Sequence, residues 1–287
     1  MSASIVNCFR FSAVCIAFCY AITVWATPVQ LKIPEFQAAV AQALGHKKRI
    51  QSFDVDGETF WLKRHSWNKA SWWACVKRVL FAPLPRIVKP TLYCSRHEAV
   101  VAEVARMQQL RQQNIVVPEV VHVADDYFVM RDLGKPLLKT VKRHKAVPER
   151  SRLLRLAAQE LAHLHRQGAI HGRGSLRDMV IHKQRIGFID FEEPLPERAD
   201  LTLFQARDLL LFLASVLPRF KKDPAAAVEV LRAYAEAAPP EVLERLDQLL
   251  FPWQAWIMRL DPILSPLGRD LREILNALRF YMDFRAS

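Results

Sequence analysis

Cysteine is scarce in this chain, and its positions exclude the site types that depend on it. Five cysteines occur among 287 residues, and Cys8, Cys15 and Cys19 lie in an apolar N-terminal segment. Cys75 and Cys94 remain, without the C-x-x-C spacing of a zinc site. The pattern excludes a disulfide framework and favours reduced thiols in a cytosolic protein.

Glycine is also sparse, and the sequence has no glycine-rich phosphate loop of the form G-x-G-x-x-G among its 8 glycines. The nearest substitute is Gly45 followed by the basic run 46–49. Backbone amides and cations there could hold phosphates, or the run could be a charged loop without a ligand. Internal repeats and low-complexity segments are missing too, and 51% hydrophobic residues indicate an ordinary globular chain.

Acidic residues are outnumbered, with 29 Asp and Glu against 41 Lys and Arg, for a net charge of +12. Much of the excess lies between His46 and Val100. Such a field suits phosphates, nucleic acid or an anionic membrane and does not choose among them.

Residues 1–27 form a separate segment whose core, residues 11–26, is apolar and uncharged. The core is short for a spanning helix and is typical of a signal peptide. Three interpretations stay open: a secretory signal, a membrane anchor, or a start codon assigned too far upstream.

The first half of the chain alternates helices and short strands. Asp56-Gly57 predicts a hairpin between two strands. We predict helices at 34–44 and 96–113, and strands at 49–55, 59–64, 119–123 and 127–131. Residues 28–134 would form the small lobe of a two-lobed protein.

Between these elements lies a basic, Trp-rich segment, residues 67–89, containing Trp67, Trp72 and Trp73. Basic side chains beside aromatic ones suit an interfacial membrane contact. The alternative is a solvated helix that packs its aromatic side chains inward.

The second half, residues 135–287, is predicted to be a mostly helical lobe. Apolar residues recur at helical spacing, which predicts helices at 149–166, 204–217, 225–237, 240–250 and 270–284.

Residues 161–193 carry the chemistry: LAHLHRQGAIHGRGSLRDMVIHKQRIGFIDFEE. The pattern indicates a helix end, a glycine break, a loop containing His171, and a strand hairpin. The apolar run Ile186 to Ile189 brings Asp190 to a strand end, where acidic residues commonly bind a ligand.

This order resembles the loops of protein-kinase-like phosphotransferases, H-x-D-x-x-x-x-N followed by D-F-G. The chain is similar to the bacterial lipopolysaccharide core (Kdo/heptose) kinase branch over roughly residues 45–220. The resemblance implies an α+β, protein-kinase-like two-lobed fold, with a small antiparallel sheet plus helix and a mostly helical second lobe.

The resemblance also implies residue roles and cofactors. Lys63 would contact the phosphates of ATP and be held by Glu103, with Glu98 as the weaker candidate for that partner. Asp178, in the place of the family's Asn, and Asp190 would form an oxygen site for Mg²⁺.

Arg173 stands where the family has its catalytic Asp, and a guanidinium cannot act as a base. It could stabilise the transferring phosphoryl group while Asp178, Glu192 or Glu193 takes the acceptor's proton. The alternative is a pseudokinase, a kinase-like regulatory or scaffold module without transfer.

Two further residues have structural roles by the same resemblance. His171 would be structural, and Asp208 would hydrogen-bond the catalytic-loop backbone, unless Arg207 and Asp208 are an ordinary surface pair.

The predicted function is phosphorylation of a sugar hydroxyl on a lipid-linked glycan, such as a lipopolysaccharide core acceptor. The reaction would take place at the anionic cytoplasmic face of a bacterial inner membrane. The N-terminal segment leaves membrane anchoring or export of the protein open. A small-molecule kinase of the aminoglycoside or choline type is a weaker alternative. Nucleic acid is not an expected partner, because no recognised binding motif accompanies the charge.

Overall fold

A computed structural model describes residues 34–64, 96–144, 146–193, 200–255, 259 and 268–287. The predictions on the N-terminal segment 1–27 and the Trp-rich segment 67–89 fall outside these residues. The described chain divides into two compact units. The smaller contains residues 34–64 and 119–132, and the larger contains the described residues of 96–118 and 133–287.

The smaller unit is a four-stranded antiparallel sheet with one helix. Its elements are α1 (Pro34–Gly45), β1 (Ile50–Val55), β2 (Glu58–Arg64), β3 (Val120–Val123) and β4 (Tyr127–Arg131), in the sheet order β1-β2-β4-β3. Asp56 and Gly57 both have positive φ, +52° and +77°, as a tight two-residue hairpin turn requires. Phe36 of α1 packs on Phe60 of β2, with ring centres 5.4 Å apart, so the helix covers one face of the sheet.

The larger unit is mostly helical. Its helices are α2 (Arg96–Gln112), α3 (Leu137–Arg143), α4 (Val147–Arg166), α5 (Leu201–Val216), α6 (Pro224–Ala235), α7 (Pro240–Leu250) and α8 (Arg269–Ala286). A second sheet consists of strands β5 (Lys135–Pro136), β6 (Met179–His182) and β7 (Arg185–Phe188). The loop 171–178 leads into β6, and Asp190 follows β7.

Helix α5 runs through the core of the larger unit. It begins at Leu201, where the Asp200 side chain accepts a hydrogen bond from the Leu203 N–H at 3.1 Å. Among the described residues, one stretch, Leu201–Arg219, is long and apolar enough to cross a bilayer, but half of it is buried. Because core helices have the same composition, this is weak evidence for a membrane span.

The predicted α+β class is confirmed, with a small antiparallel sheet and a mostly helical second half. The long helices fall within about three residues of their predicted bounds. The strand β5 and the helix α3 were not predicted. Helix α2, assigned from sequence to the small lobe, groups with the larger unit, and the lobe boundaries themselves stay a prediction.

Candidate active site

Lys63 lies near the end of strand β2 in the smaller unit. Its side chain is almost fully buried, with 2% exposure. It pairs in register with Phe128 of β4, and its Nζ lies 6.0 Å from the centre of the Phe128 ring. A buried ammonium needs polar or charged partners, so this position differs from the usual exposed strand-end lysine.

Glu103 lies in the middle of helix α2 in the larger unit and is 1% exposed. Its Oε1 accepts a hydrogen bond at 3.0 Å from the backbone N–H of Phe191, the residue after Asp190. Glu98 is exposed in the first turn of α2, where a negative charge interacts favourably with the helix dipole. Of the two glutamates considered, Glu103 is the one whose carboxylate touches the loop after β7.

Asp208 holds the start of the loop 171–178. Its Oδ2 accepts hydrogen bonds from the backbone N–H groups of His171, at 2.6 Å, and Gly172, at 3.1 Å. The Nε2 of His165 lies 3.6 Å from the same oxygen. Burial alone raises the pKa of Asp208, but these donors outweigh burial and hold the pKa below its ordinary value. The predicted backbone-holding role of Asp208 is confirmed, and the residue lies in the middle of α5.

His171 is fully buried between the two sides of the loop. One ring nitrogen, Nε2, lies 3.0 Å from the carbonyl oxygen of Ile189, and Nδ1 lies 3.4 Å from the backbone N–H of Arg173. Since a carbonyl only accepts and an N–H only donates, these partners select the neutral ring with its proton on Nε2. Burial lowers the pKa of His171 and favours the same neutral form. His171 is therefore a packing and hydrogen-bonding residue.

Arg173 lies between the two aspartates predicted to bind a metal. Its Nε is 3.3 Å from Asp178 Oδ2, its Nη2 is 3.4 Å from Asp178 Oδ1, and Nη2 also donates to Asp190 Oδ2. Asp178 is 8% exposed and accepts a further hydrogen bond from the Ser175 hydroxyl at 2.9 Å. The structure thus brings Asp178 and Asp190 together around one guanidinium.

The charge state of Arg173 follows from this arrangement. Burial on its own lowers the pKa of the guanidinium, but the neighbouring Asp178 and Asp190 carboxylates outweigh burial and raise the pKa above its ordinary value. Arg173 stays a cation at any physiological pH, so a proton acceptor must be found elsewhere in the site.

Glu193, one of the carboxylates proposed for that task, is held against the loop. Its Oε1 accepts a hydrogen bond from Arg207 at 3.1 Å. Gly172 makes this close approach possible, because it has a φ of +93° and a Cβ there would lie 2.8 Å from the Cβ of Glu193. Asp178, another carboxylate named above, lines an open cavity.

The residues present fit a magnesium ion in their chemistry. Mg²⁺ is usually bound by one or two carboxylates plus waters and substrate phosphates, not by an all-protein cage. Asp178 and Asp190 both contact Nη2 of Arg173, so a cation in the place of that nitrogen would lie near both carboxylates. Within the described ranges, no group of three or more His, Cys, Asp or Glu side chains could hold a metal by itself.

Arg106 of helix α2 is a site residue that sequence reasoning did not find. It donates to the backbone oxygen of Ile170, and at 3.1 Å to that of Glu193, and its guanidinium lies 5.4 Å from the Phe191 ring centre. These contacts tie the loops before His171 and after Asp190 to one helix. No sequence motif marks Arg106, because its partners are backbone atoms far along the chain.

Comparison with known proteins places these elements in a family. An uncharacterized protein from Haemophilus influenzae is 27% identical over 186 residues, which cover 63% of this chain and 69% of that relative. The family model of the RIO domain matches residues 56–209, from the β1–β2 turn to the residue after Asp208. The match spans more than half of the chain and includes Lys63, Glu103, Arg173 and Asp190. The chain therefore belongs to the RIO domain family, an atypical protein-kinase-like family.

Proposed function

We propose that this protein is an atypical, ATP- and Mg²⁺-dependent phosphotransferase that acts on a hydroxyl group. The observation that carries the proposal is the contact of both Asp178 and Asp190 with Arg173, which lies on a loop whose start is held by the buried Asp208. Membership of a kinase-like family is consistent with this activity.

Bound MgATP would supply a γ-phosphoryl group with part of its charge neutralised. In the transfer, the acceptor's hydroxyl oxygen bonds to the γ-phosphorus, the bond from that phosphorus to ADP breaks, and the hydroxyl proton passes to a carboxylate of the protein. Asp178 and Asp190 would hold the cation, and Lys63 would contact the phosphates. Most of the catalysis in such reactions comes from positioning and charge stabilisation.

Arg173 supplies fixed positive charge in this scheme. Its guanidinium has planar, multiple donors suited to phosphate oxygens. On cation binding we expect Arg173 to release at least one aspartate and turn its donors to the transferring phosphoryl group. Its side chain is 46% exposed, which leaves room for that movement.

The acceptor class comes from the resemblance stated above. We propose a sugar hydroxyl of a lipid-linked glycan, phosphorylated at the cytoplasmic face of a bacterial inner membrane. Two features support this: the similarity to lipopolysaccharide core kinases and the basic excess of the first third of the chain.

A pseudokinase is the second candidate, and one observation favours it. Arg173 already contacts both aspartates and offsets one of their two negative charges from within the chain, where a metal cation would act from outside. A protein with such an internal cation could bind nucleotide without Mg²⁺ and transfer nothing.

The test measures binding of a fluorescent ATP analogue and hydrolysis of ATP, with and without Mg²⁺. We expect Mg²⁺-dependent binding and slow hydrolysis by the wild type. Asp190→Asn should lose most of the Mg²⁺ dependence, and Lys63→Met should weaken nucleotide binding about tenfold. Asp126→Asn and Lys139→Ala are matched controls, because both residues are exposed and lie outside the predicted site.

The outcomes separate the two candidates. A wild-type protein that binds no nucleotide under either condition contradicts both. Binding that ignores Mg²⁺, without hydrolysis, supports the pseudokinase and rejects the enzyme. Thermal melting of each variant checks that it is folded.

A further inference from the structure

A cavity of about 380 Å³ opens beside the catalytic loop, entirely within the larger unit. The loop contributes Arg173, Ser175 and Asp178 to its wall. The opposite wall comes from α3, from the end of α5, and from the first turns of α8. Its volume is in the range of small-molecule sites, which is about 300–1,000 Å³.

Cations dominate the lining of this cavity. They are Lys142, Arg173, Arg177, Arg219 and Arg269, against the three acids Asp178, Asp270 and Glu273. Two of the cations are compensated, because Arg173 contacts Asp178 and Arg269 lies 3.6 Å from Glu273.

Three cations in the wall remain available for a ligand. In the part of the chain that the structure describes, no carboxylate forms an ion pair with Lys142, Arg177 or Arg219. They come from three different elements, α3, the loop and the turn after α5, and they line one cavity. Cations that converge without acidic partners favour an anionic ligand.

A second cavity of about 310 Å³ adjoins the first, and the two share Pro218, Arg269 and Glu273 in their walls. It adds two aromatic side chains, Phe220 and Phe280, and further cations, Lys221 and Arg272. The combined volume of the two cavities suits a ligand larger than one sugar ring.

We propose that these two adjoining cavities bind the acceptor, and that the acceptor carries phosphate or carboxylate groups close to the hydroxyl that is phosphorylated. The proposal rests on the phosphotransferase function above and adds the substrate class. The reactive end is set by Arg173 and Asp178, which belong both to the cavity wall and to the predicted catalytic site. Lys142, Arg177 and Arg219 would hold the acceptor's anionic groups, and the aromatic pair would contact its less polar part.

The test uses glucose 6-phosphate, glucose and lipid A in phosphatidylcholine vesicles as probes on the full-length protein. Calorimetry measures the binding of the two soluble sugars. Flotation measures binding to the lipid A vesicles, with vesicles of phosphatidylcholine alone as the control. We expect glucose 6-phosphate to bind at least about tenfold more tightly than glucose, since charge-assisted hydrogen bonds distinguish them. Binding of the lipid A vesicles in addition would identify a lipid-linked source of the same chemistry.

Two variants locate the binding. Arg177→Gln with Arg219→Gln should weaken glucose 6-phosphate binding about tenfold or more. Arg166→Gln is the matched control, because Arg166 is exposed at the end of α4 and does not line this cavity. Melting curves verify folding.

The result that overturns the proposal is equal binding of glucose and glucose 6-phosphate, or binding of the phosphate that the double variant does not change. This is separable from the phosphotransferase test. ATP hydrolysis without charge-selective sugar binding rejects the acceptor site and keeps the enzyme. Charge-selective binding lost in the double variant, in a protein without ATP hydrolysis, supports the site as an anion-binding cavity and rejects the enzyme.

Discussion

The two ends of the loop from His171 to Asp178 are held in different ways. At its beginning, the backbone of His171 and Gly172 is bound to the carboxylate of Asp208, with all three residues buried. At its end, Asp178 meets a guanidinium that is 46% exposed and also reaches Asp190. The first arrangement fixes a backbone, and the second gathers charges at a surface.

The difference separates the part of the loop that stabilises the fold from the part that sets the charge of the candidate site. Buried hydrogen bonds to a carboxylate are costly to lose, because the groups left behind have no water to replace the partner. Exposed ion pairs contribute little to stability, because solvent and salt screen them. An arginine at position 173, compared with an aspartate there, would therefore change the charge of the loop and leave its framework in place.

The largest expected effect breaks the buried end. Asp208→Ala leaves the N–H groups of His171 and Gly172 without an acceptor, and we expect it to lower the free energy of unfolding by about 3 kcal/mol. Asp208→Asn retains one acceptor oxygen and should cost clearly less. Urea denaturation of both variants measures the two values, and equal losses would contradict a hydrogen-bonding role for the carboxylate.

A smaller effect concerns pH and the His171 ring. Its folded pKa is lowered by burial, so the unfolded state binds the proton more readily. The stabilising contribution is therefore present above the unfolded value of about 6.5 and is lost as the pH falls below it.

We expect the free energy of unfolding to fall between pH 7 and pH 5 on account of this group. His171→Gln should flatten the slope. His122 also has a pKa lowered by burial, so His122→Gln is the control that measures its separate share. An unchanged slope in His171→Gln would rule out the neutral buried ring as the cause.

The smallest expected effect is at the exposed end. Arg173→Gln should change the free energy of unfolding by less than about 1 kcal/mol. It should also make the melting temperature more responsive to Mg²⁺, because Asp178 and Asp190 lose their internal cation and a ligand of the folded state stabilises it.

Adding Asp190→Asn to Arg173→Gln should abolish the extra Mg²⁺ response. A melting temperature that responds to Mg²⁺ equally in the wild type and in Arg173→Gln would contradict competition between Arg173 and the metal.

Local sequence signals predicted most of the fold. The Asp56-Gly57 pair predicted the hairpin, because its left-handed φ values suit few other residues. Apolar spacing predicted the long helices. The strand β5 has only 2 residues and depends on pairing with β6, which no local pattern announces.

The candidate site was predictable only in part. The resemblance supplied Lys63, Glu103, Asp178 and Asp190 as candidates, but not the position of the Arg173 guanidinium, which is a matter of side-chain conformation. The cationic cavity was missed because Lys142 and Arg269 are far apart in sequence and meet through α3 and α8. Its cations carry no motif of their own.

The guanidinium of Arg173 has a consequence for the charge balance of the site. With Asp178 and Asp190 it forms a group of one cation and two anions, so the three residues together carry one negative charge. With an aspartate at position 173, the same three positions would carry three negative charges. With the proposed function, the phosphates of a nucleotide would meet a site two units more positive than that arrangement offers. Nucleotide affinity in this chain should therefore depend less on the concentration of divalent cations.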